Sequence, residues 1–414
     1  MTTSTIELAG AIIFALALVH TFAAKAFEKL ATRYPRHAGL FHLLGEVEVV
    51  FGFWACVLVI AMALLADGAH AVAYVESRHY TEPLFVFVVM VIAASRPVLE
   101  AVGALLNGLA RLAPVNTGLA LAWMGLALVP LAGSLVTEPA AMTIAALMLA
   151  PQVFRPGIPE WMKYGALGVL FVNVSIGGTL TSYAAPPVLM VAGTWGWDSL
   201  FMATHFGWRA VLAVAVNATV ITWLLRPHLG APGAGTLAKP AWSVSIVHLL
   251  FLVAVVLLAH HPVLFLGLFL LFLGYTQAYP KHQDALILKE ALLVGYFLAG
   301  LVVLGGMQQW WLQPLVSNMG PTTLFFGALG LTAVTDNAAL TYLGSLIAGL
   351  SDQAKYMLMA GAVAGGGLTV IANAPNPAGA ALLRRGFQDE SISALGLLLG
   401  AAAPTAVAAV MFLL

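Results

Sequence analysis

Long apolar runs separated by short polar connections make up almost the whole chain, from residues 7–27 to residues 392–413. A helix needs about 20 apolar residues to cross a bilayer, and most of the runs reach that length. Four are too short: 139–151, 185–194, 322–335 and 337–349. We interpret these as arms of re-entrant hairpins or halves of interrupted helices, because non-helical backbone is tolerated at membrane depth only inside protein or beside a water-filled cavity. The pattern predicts an all-α polytopic membrane protein with about 10–12 transmembrane helices.

The composition of the chain agrees with this prediction and narrows the possible functions. Apolar residues make up 61% of the chain and charged residues 8%, values far from those of soluble domains. The zero net charge gives no reason to expect a nucleic-acid partner. The single cysteine, Cys56, excludes an internal disulfide and a thiolate metal cage. No motif of a metallopeptidase, a serine hydrolase or a phosphate-binding loop is present, so we expect neither a cofactor nor an enzyme of these kinds.

Two near copies of a seven-residue motif lie within the apolar sequence, TEPAAMT at 137–143 and TDNAALT at 335–341. A glycine cluster follows each copy, and a Tyr-Pro-basic-His segment precedes each, at 34–37 and 279–282. Repetition of three motifs in one order indicates duplication, and duplicated interrupted segments are typical of secondary transporters. We therefore divide the chain into a first repeat at 1–230, a linker at 231–241 and a second repeat at 242–414.

Each copy of the motif carries one carboxylate, Glu138 in the first and Asp336 in the second. A charged side chain at the centre of a membrane helix costs about 2.5–3.5 kcal/mol on insertion scales, so it usually has a function or a partner. Threonine hydroxyls flank both acids, and the second acid is also next to the amide of Asn337. Hydroxyl, amide and carboxylate oxygens are ligands that a hard cation such as Na⁺ prefers. A carboxyl can hold a proton instead of a cation, and this competition is the basis of a proton-coupled antiporter. The flanking residues are Thr137, Thr335, Asn337 and Thr341.

A structural role for the motif is the alternative. Thr137 or Thr335 can cap the helix that follows a hairpin tip, and an acid is favourable in the first turn of that helix. Capping and ion binding are compatible, so the sequence leaves both open.

The glycine clusters predict two interrupted helices, near 177–187 and near 365–377. Glycine lets a helix unwind or another backbone approach closely, and prolines just beyond each cluster prevent the helix from resuming. Carbonyls freed in this way, together with nearby polar side chains, can bind an ion. Close packing of helices through small residues is the alternative. The residues concerned are Gly177, Gly178, Gly365, Gly366 and Gly367 at the breaks and Asn173, Thr181, Thr369 and Asn373 as ligands.

Other charged residues lie near the ends of predicted spans. Glu46, Glu48 and Glu290 are candidates for a proton relay, with pairing at the membrane interface as the alternative. Arg96 and Glu100 are four residues apart in one predicted helix and can pair with each other.

Basic residues crowd the first connection, at Lys25, Lys29, Arg33 and Arg36. By the positive-inside rule this connection lies in the cytoplasm and the N-terminus lies outside. If the two repeats are inverted, the segment at 279–282 faces the opposite side from the segment at 34–37.

The motif residues resemble the paired signature of the ion transporter superfamily, nearest its sodium/proton antiporter and arsenite-pump-like branch. Residues 335–341 and 366–374 carry this signature, and residues 82–97 and 289–295 resemble a bacterial group of sodium/proton antiporters. The resemblance implies two inverted repeats, each with a hairpin and an unwound helix meeting near the midplane, an elevator-type motion, a homodimer and a location in the bacterial inner membrane. In one departure Pro139 stands where the second copy has Asn337, so we expect the first half to supply fewer ligands.

Together these features predict a transporter that exchanges sodium or lithium for protons. Asp336 is the principal carboxylate in this prediction, Glu138 is a partner or a second site, and sodium is the transported substrate. Two alternatives remain. One is a cation-coupled carrier of an anion or small carboxylate/oxyanion, in which half-helix amides bind the substrate. The other is a membrane-embedded enzyme or assembly subunit.

Overall fold

The computed structural model describes residues 5–229 and 240–414, and within these ranges all regular structure is helical. Most of the predicted linker at 231–241 therefore lies outside the described residues. The α-helices are α1 (Thr5–Arg33), α2 (Ala38–Gly45), α3 (Val47–Leu65), α4 (Gly68–Glu76), α5 (Thr81–Ala93), α6 (Arg96–Leu112), α7 (Thr117–Leu126), α8 (Leu128–Val136), α9 (Glu138–Leu149), α10 (Glu160–Gly177), α11 (Pro186–Trp195), α12 (Ser199–Met202), α13 (Trp208–Leu225), α14 (Trp242–Leu257), α15 (Pro262–Ala278), α16 (Leu288–Gly305), α17 (Gln309–Val316), α18 (Pro321–Thr332), α19 (Asn337–Ser345), α20 (Asp352–Gly365), α21 (Asn376–Leu383) and α22 (Ala394–Leu413).

The lengths and compositions of these helices fit a polytopic membrane protein. Within the described ranges, 4 helices are long and apolar enough to cross a membrane. The bent pairs α5 with α6 and α7 with α8 raise the number to 6 if each pair is one span. This is fewer than the 10–12 that the sequence predicts. One reason is that some apolar runs are divided into shorter helices, such as residues 116–136 into α7 and α8, and another is that other runs form helices of only 16 or 17 residues, such as α14 and α15.

Two helices are interrupted beside the glycine clusters. α10 ends at Gly177, a 3-10 turn covers Gly178–Leu180, and α11 begins only at Pro186. α20 ends at Gly365, and α21 begins only at Asn376. Proline in the first turn of α11 and of α21 lacks the N–H that would continue a preceding helix, so it suits a new helix start.

The two interrupted helices pack against each other in opposite directions. The Ser175 hydroxyl of α10 donates to the Val363 carbonyl of α20 at 2.8 Å. A Cβ atom at Gly367 would lie 2.4 Å from the backbone nitrogen of Val172, so glycine is needed for this approach. The hairpin arm α9 packs on α21, which follows the break after α20, and the hairpin arm α19 packs on α11, which follows the break after α10. Each hairpin arm therefore contacts the helix beyond the other break. We call the region where these four arms and the two breaks meet the central crossing.

Helices α3 and α16 lie side by side and run in the same direction. Lys289 pairs with Glu46 at 3.2 Å at their N-terminal ends, and the rings of Phe51 and Phe297 lie 5.1 Å apart further along. A Cβ atom at Gly300 would lie 2.4 Å from a backbone nitrogen of α3. We call α1, α3 and α16 the scaffold helices.

This direction bears on the expectation for inverted repeats. The segments at 34–37 and 279–282 lead into the N-terminal ends of parallel helices, which does not fit the opposite sides expected if the whole repeats were inverted. The reason is their spacing, since the first segment stands about twice as far ahead of its motif acid as the second does. The two segments are therefore not equivalent members of a repeat.

Candidate ion-binding site

Asp336 lies at the tip of the hairpin formed by α18 and α19 and caps α19. Its Oδ1 atom accepts hydrogen bonds from the backbone N–H groups of Ala338 at 2.8 Å and Ala339 at 3.2 Å. The backbone N–H of Ala374, in the second helix break, lies close to this carboxylate. The Thr335 hydroxyl is not the cap, because it donates to the Leu331 carbonyl of α18 at 3.0 Å. The capping role considered from the sequence thus falls to the acid itself.

The Asp336 side chain is half-buried and lines a small recess between the hairpin tip and the scaffold helices. The scaffold contributes two phenylalanines, one leucine and one hydroxyl. The acid therefore lies at the boundary between the scaffold and the central crossing and not at an outer rim. The other lining residues are Leu18, Thr21, Phe51, Phe297, Val334, Thr335 and Ile371.

Glu138 is fully buried at the start of α9, at the tip of the other hairpin. Its Oε2 atom accepts a hydrogen bond from Asn373 Nδ2 at 2.9 Å, so the acid of the first half contacts the helix break of the second half. Gly178 makes room for it, because a Cβ atom there would lie 2.5 Å from Glu138 Oε1. Thr137 precedes it with φ of 134°, a conformation that β-branched residues rarely adopt.

Asn337 ties α19 to the central crossing. Its backbone N–H donates to the Ala372 carbonyl at 3.1 Å, and its side-chain Nδ2 donates to Ser175 Oγ at 3.3 Å. Gly366 lies against both groups, since a Cβ atom there would be 2.1 Å from Ser175 Oγ. Thr341 adds a bond from its hydroxyl to the Pro187 carbonyl at 2.9 Å, which joins α19 to the start of α11.

The other predicted ligands have different tasks. Asn173 is turned away from the acids, because its Nδ2 donates to the Leu126 carbonyl at 2.7 Å and its Oδ1 accepts from Asn217 at 3.0 Å. The hydroxyls of Thr181 and Thr369 brace the breaks: each donates to a carbonyl of the adjacent hairpin, at 2.7 Å and 2.8 Å respectively. Gly177 and Gly365 allow close packing, because a Cβ atom at either would lie within 2.6 Å of a carbonyl oxygen of α8 or α18.

Two further polar residues of the crossing stand beside the glycine clusters in the sequence but are not among the predicted ligands. Ser175 links α10 to α20, and Asn376 Nδ2 donates to the Gly366 carbonyl at 2.8 Å and the Thr369 carbonyl at 2.9 Å. Both lie within a few residues of a glycine cluster, which is the signal that identifies them.

Residues 5–414 match the family model described as "Putative Na+/H+ antiporter". The chain belongs to this antiporter family. A comparison with curated proteins finds no match. Family membership makes the protein a transporter and not an enzyme, which removes the membrane-embedded enzyme from the alternatives.

The three acids predicted to form a proton relay lie in different settings. Glu46 pairs with Lys289, and Glu290 is exposed on α16. Glu48 is half-buried in the first turn of α3 and close enough to Asp336 for their charges to interact. Arg96 and Glu100 form the expected pair at 2.7 Å. Of the three candidates, Glu48 is the one whose charge interacts with Asp336.

The side chains around Asp336 and Glu138 that could bind an ion offer oxygen atoms as ligands. Over the described ranges, no group of three or more histidine, cysteine or acidic side chains forms a transition-metal site. Asp336 and Glu138 are near enough for their charges to interact. Carboxylate, amide and hydroxyl oxygens suit an alkali cation or a proton.

Proposed function

We propose that the protein exchanges Na⁺ or Li⁺ for H⁺ and that Asp336 is the carboxylate that the two ions neutralise in turn. The observation that carries the proposal is the position of Asp336, which lines the recess while backbone N–H groups hold its Oδ1 atom. A fixed carboxylate reached from a cavity can bind a cation or a proton but not both well. The antiporter family supports the same reaction.

A transported cation is favoured over an anion because the N-terminus of α19 is already occupied by the Asp336 carboxylate. An anion carrier binds its substrate with the free amides of a half-helix. At α19 the amides of Ala338 and Ala339 are already bonded to Asp336. The negative charge of the aspartate would also repel an anion placed there.

An inverted relationship between two core units is part of the proposal. The units are residues 128–195 and 321–383, each with a hairpin followed by an interrupted helix. The opposite directions of α10 and α20 and the contact of each hairpin arm with the helix beyond the other break support it. On this basis we propose that the protein belongs to the ion transporter superfamily, with core units shorter than the repeats 1–230 and 242–414 predicted from the sequence.

An elevator-type movement of the core against the scaffold is supported by the recess. Its scaffold wall is apolar apart from Thr21, so it offers few polar bonds that would resist sliding. In this mechanism Glu48 passes protons between the surface and Asp336.

The cellular setting that we propose rests on the resemblance and on charge. Lys29, Arg33 and Arg36 are exposed at the C-terminal end of α1 and beyond it, which favours a cytoplasmic first connection and an outward N-terminus. The inner membrane and a homodimer are proposed from the family resemblance.

Reconstituted vesicles with a pH-sensitive dye inside test the exchange. Sodium added outside is expected to drive protons across the membrane, and Asp336→Asn is expected to reduce this flux to the level of protein-free vesicles. Glu76→Gln, which changes an exposed acid on α4, is the matched control and should keep the flux. Full activity of Asp336→Asn would remove the carboxylate from the mechanism, and accumulation of a labelled carboxylate or oxyanion would favour the anion carrier.

A further inference from the structure

Four buried oxygen atoms in the central crossing have no hydrogen-bond partner: Glu138 Oε1, Asn337 Oδ1, Asn373 Oδ1 and Asn376 Oδ1. All four side chains are 0% exposed. A buried polar atom without a partner costs about 1–3 kcal/mol, so nearly all such atoms in native proteins are paired. Four in one region indicate a ligand that accepts their lone pairs.

The hydrogen bonds made by the three asparagines show which of their side-chain atoms have no partner. Each amide NH₂ already donates: Asn373 to Glu138 Oε2, Asn376 to the Gly366 carbonyl, and Asn337 to Ser175 Oγ. These donors determine the orientation of each amide. The atoms left without any partner are the three carbonyl oxygens, so the missing ligand offers positive charge or hydrogen-bond donors to them.

Short contacts make the four residues neighbours although they lie far apart in the sequence. Asn373 bonds directly to Glu138, and the Asn376 backbone N–H donates to the Asn373 carbonyl at 3.0 Å. Asn337 is bonded through its backbone to Ala372, the neighbour of Asn373. Asn337 and Asn376 both lie against Gly366.

We propose that these oxygens form an enclosed binding site for a monovalent alkali cation, separate from the Asp336 recess. One carboxylate and three amide oxygens are hard ligands, and the single negative charge of Glu138 balances one positive charge. None of the four residues lines the recess. The inference rests on the proposed function for the identity of the ion, which we take to be sodium.

Gly178 provides a way to block this site without removing a ligand. Its backbone is in the right-handed helical region, which alanine adopts freely, yet a Cβ atom there would lie 2.5 Å from Glu138 Oε1. Gly178→Ala therefore places a methyl group beside the ligand oxygen. Gly193→Ala is the matched control, because a Cβ atom at that position of α11 has open space around it.

Thermal unfolding of the purified protein in detergent, with NaCl replaced stepwise by choline chloride, tests the site. Sodium is expected to raise the melting temperature of the wild type, of Asp336→Asn and of Gly193→Ala. The increase should disappear in Gly178→Ala, Asn376→Ala and Glu138→Gln. Size-exclusion chromatography checks folding, and if Glu138→Gln does not fold, the other two variants decide the result.

Two results would overturn the enclosed site. One is loss of all sodium-dependent stabilisation in Asp336→Asn, which would assign sodium binding to the recess alone. The other is full stabilisation in Gly178→Ala and Asn376→Ala, which would leave the four oxygens to buried water. Failure of the exchange reaction is a separate outcome, because it would appear as absent proton flux in wild-type vesicles even when sodium stabilises the protein.

Discussion

Asp336 and Glu138 occupy the same place in their motifs but different places in their helices. Asp336 is the N-cap of α19, and one of its carboxylate oxygens accepts hydrogen bonds from backbone N–H groups. Glu138 is instead the first residue of α9, and Thr137 is the N-cap of that helix. The offset of one residue places Asp336 against the recess and turns Glu138 into the central crossing. Two similar acids therefore meet different surroundings, one reachable from a cavity and one sealed.

Thr137 carries backbone strain that a substitution can release. Its φ of 134° lies in a region that favours glycine, and such strain costs about 1–3 kcal/mol. We expect Thr137→Gly to raise the free energy of unfolding by about 1 kcal/mol, after the entropic cost of glycine is subtracted. Chemical denaturation measures this change. Thr143→Gly, in the regular part of α9, should lower stability, and a similar loss in Thr137→Gly would show that the conformation is not strained.

The sequence predicted the position of both acids but could not predict which oxygens they leave unbonded. An acid inside an apolar run is visible in the residue order alone. The bond from Asn373 to Glu138 joins residues 235 positions apart, and the space that Gly178 leaves depends on how the two halves pack. For the same reason Asn173, which looked equivalent to Asn373, is bonded elsewhere.

At the scale of elements, glycine and proline determine where helices stop and how closely they pack. The breaks after α10 and α20 lie beside glycine clusters and before prolines, and these signals are local enough to be seen in the sequence. The division of apolar runs into short helices was less visible, because hydrophobicity alone does not report a bend. The parallel packing of α3 and α16 depends on Gly52 and Gly300, which no motif marked.

Replacing Gly300 is expected to disturb the scaffold. An added Cβ atom would lie 2.4 Å from the backbone nitrogen of Gly52, and backbone cannot move aside as a flexible side chain can. Overpacking of this kind costs about 1–3 kcal/mol, so Gly300→Ala should lower the melting temperature in detergent. Gly267→Ala in α15, where the added atom meets open space, is the control. Equal melting temperatures for the two variants would contradict the close contact of α3 and α16.

At the scale of the whole molecule, the inverted repetition that we propose extends over less of the chain than the motifs suggested. The acid and glycine motifs lie in the two proposed core units, whose interrupted helices α10 and α20 run in opposite directions, whereas the helices that follow the Tyr-Pro-basic-His segments are parallel. Similar short sequences can arise at positions that are not equivalent in the fold. The directions of the packed helices distinguish such positions from the equivalent positions of a repeat.

Cysteine labelling from each side of the membrane tests this arrangement. In a Cys56→Ser background, we expect Pro156→Cys and Asp352→Cys to react from opposite sides, because the connections before α10 and α20 lie at the ends of antiparallel helices. Arg36→Cys and Lys281→Cys, both exposed, should react from the same side. Labelling of the first pair from one side would refute inversion of the core units. Opposite labelling of the second pair would contradict the parallel scaffold.

The capping of α19 by Asp336 links the charge of the site to the order of the hairpin arm. A helix cap contributes about 0.5–2 kcal/mol, and an ionised carboxylate also interacts favourably with the positive end of the helix dipole. A bound metal ion leaves the carboxylate charged and the cap intact, whereas a bound proton removes the charge and weakens both interactions. The first turn of α19 is therefore more stable when a metal ion is bound to Asp336 than when a proton is bound. The protein can distinguish the two ions through the stability of this helix turn.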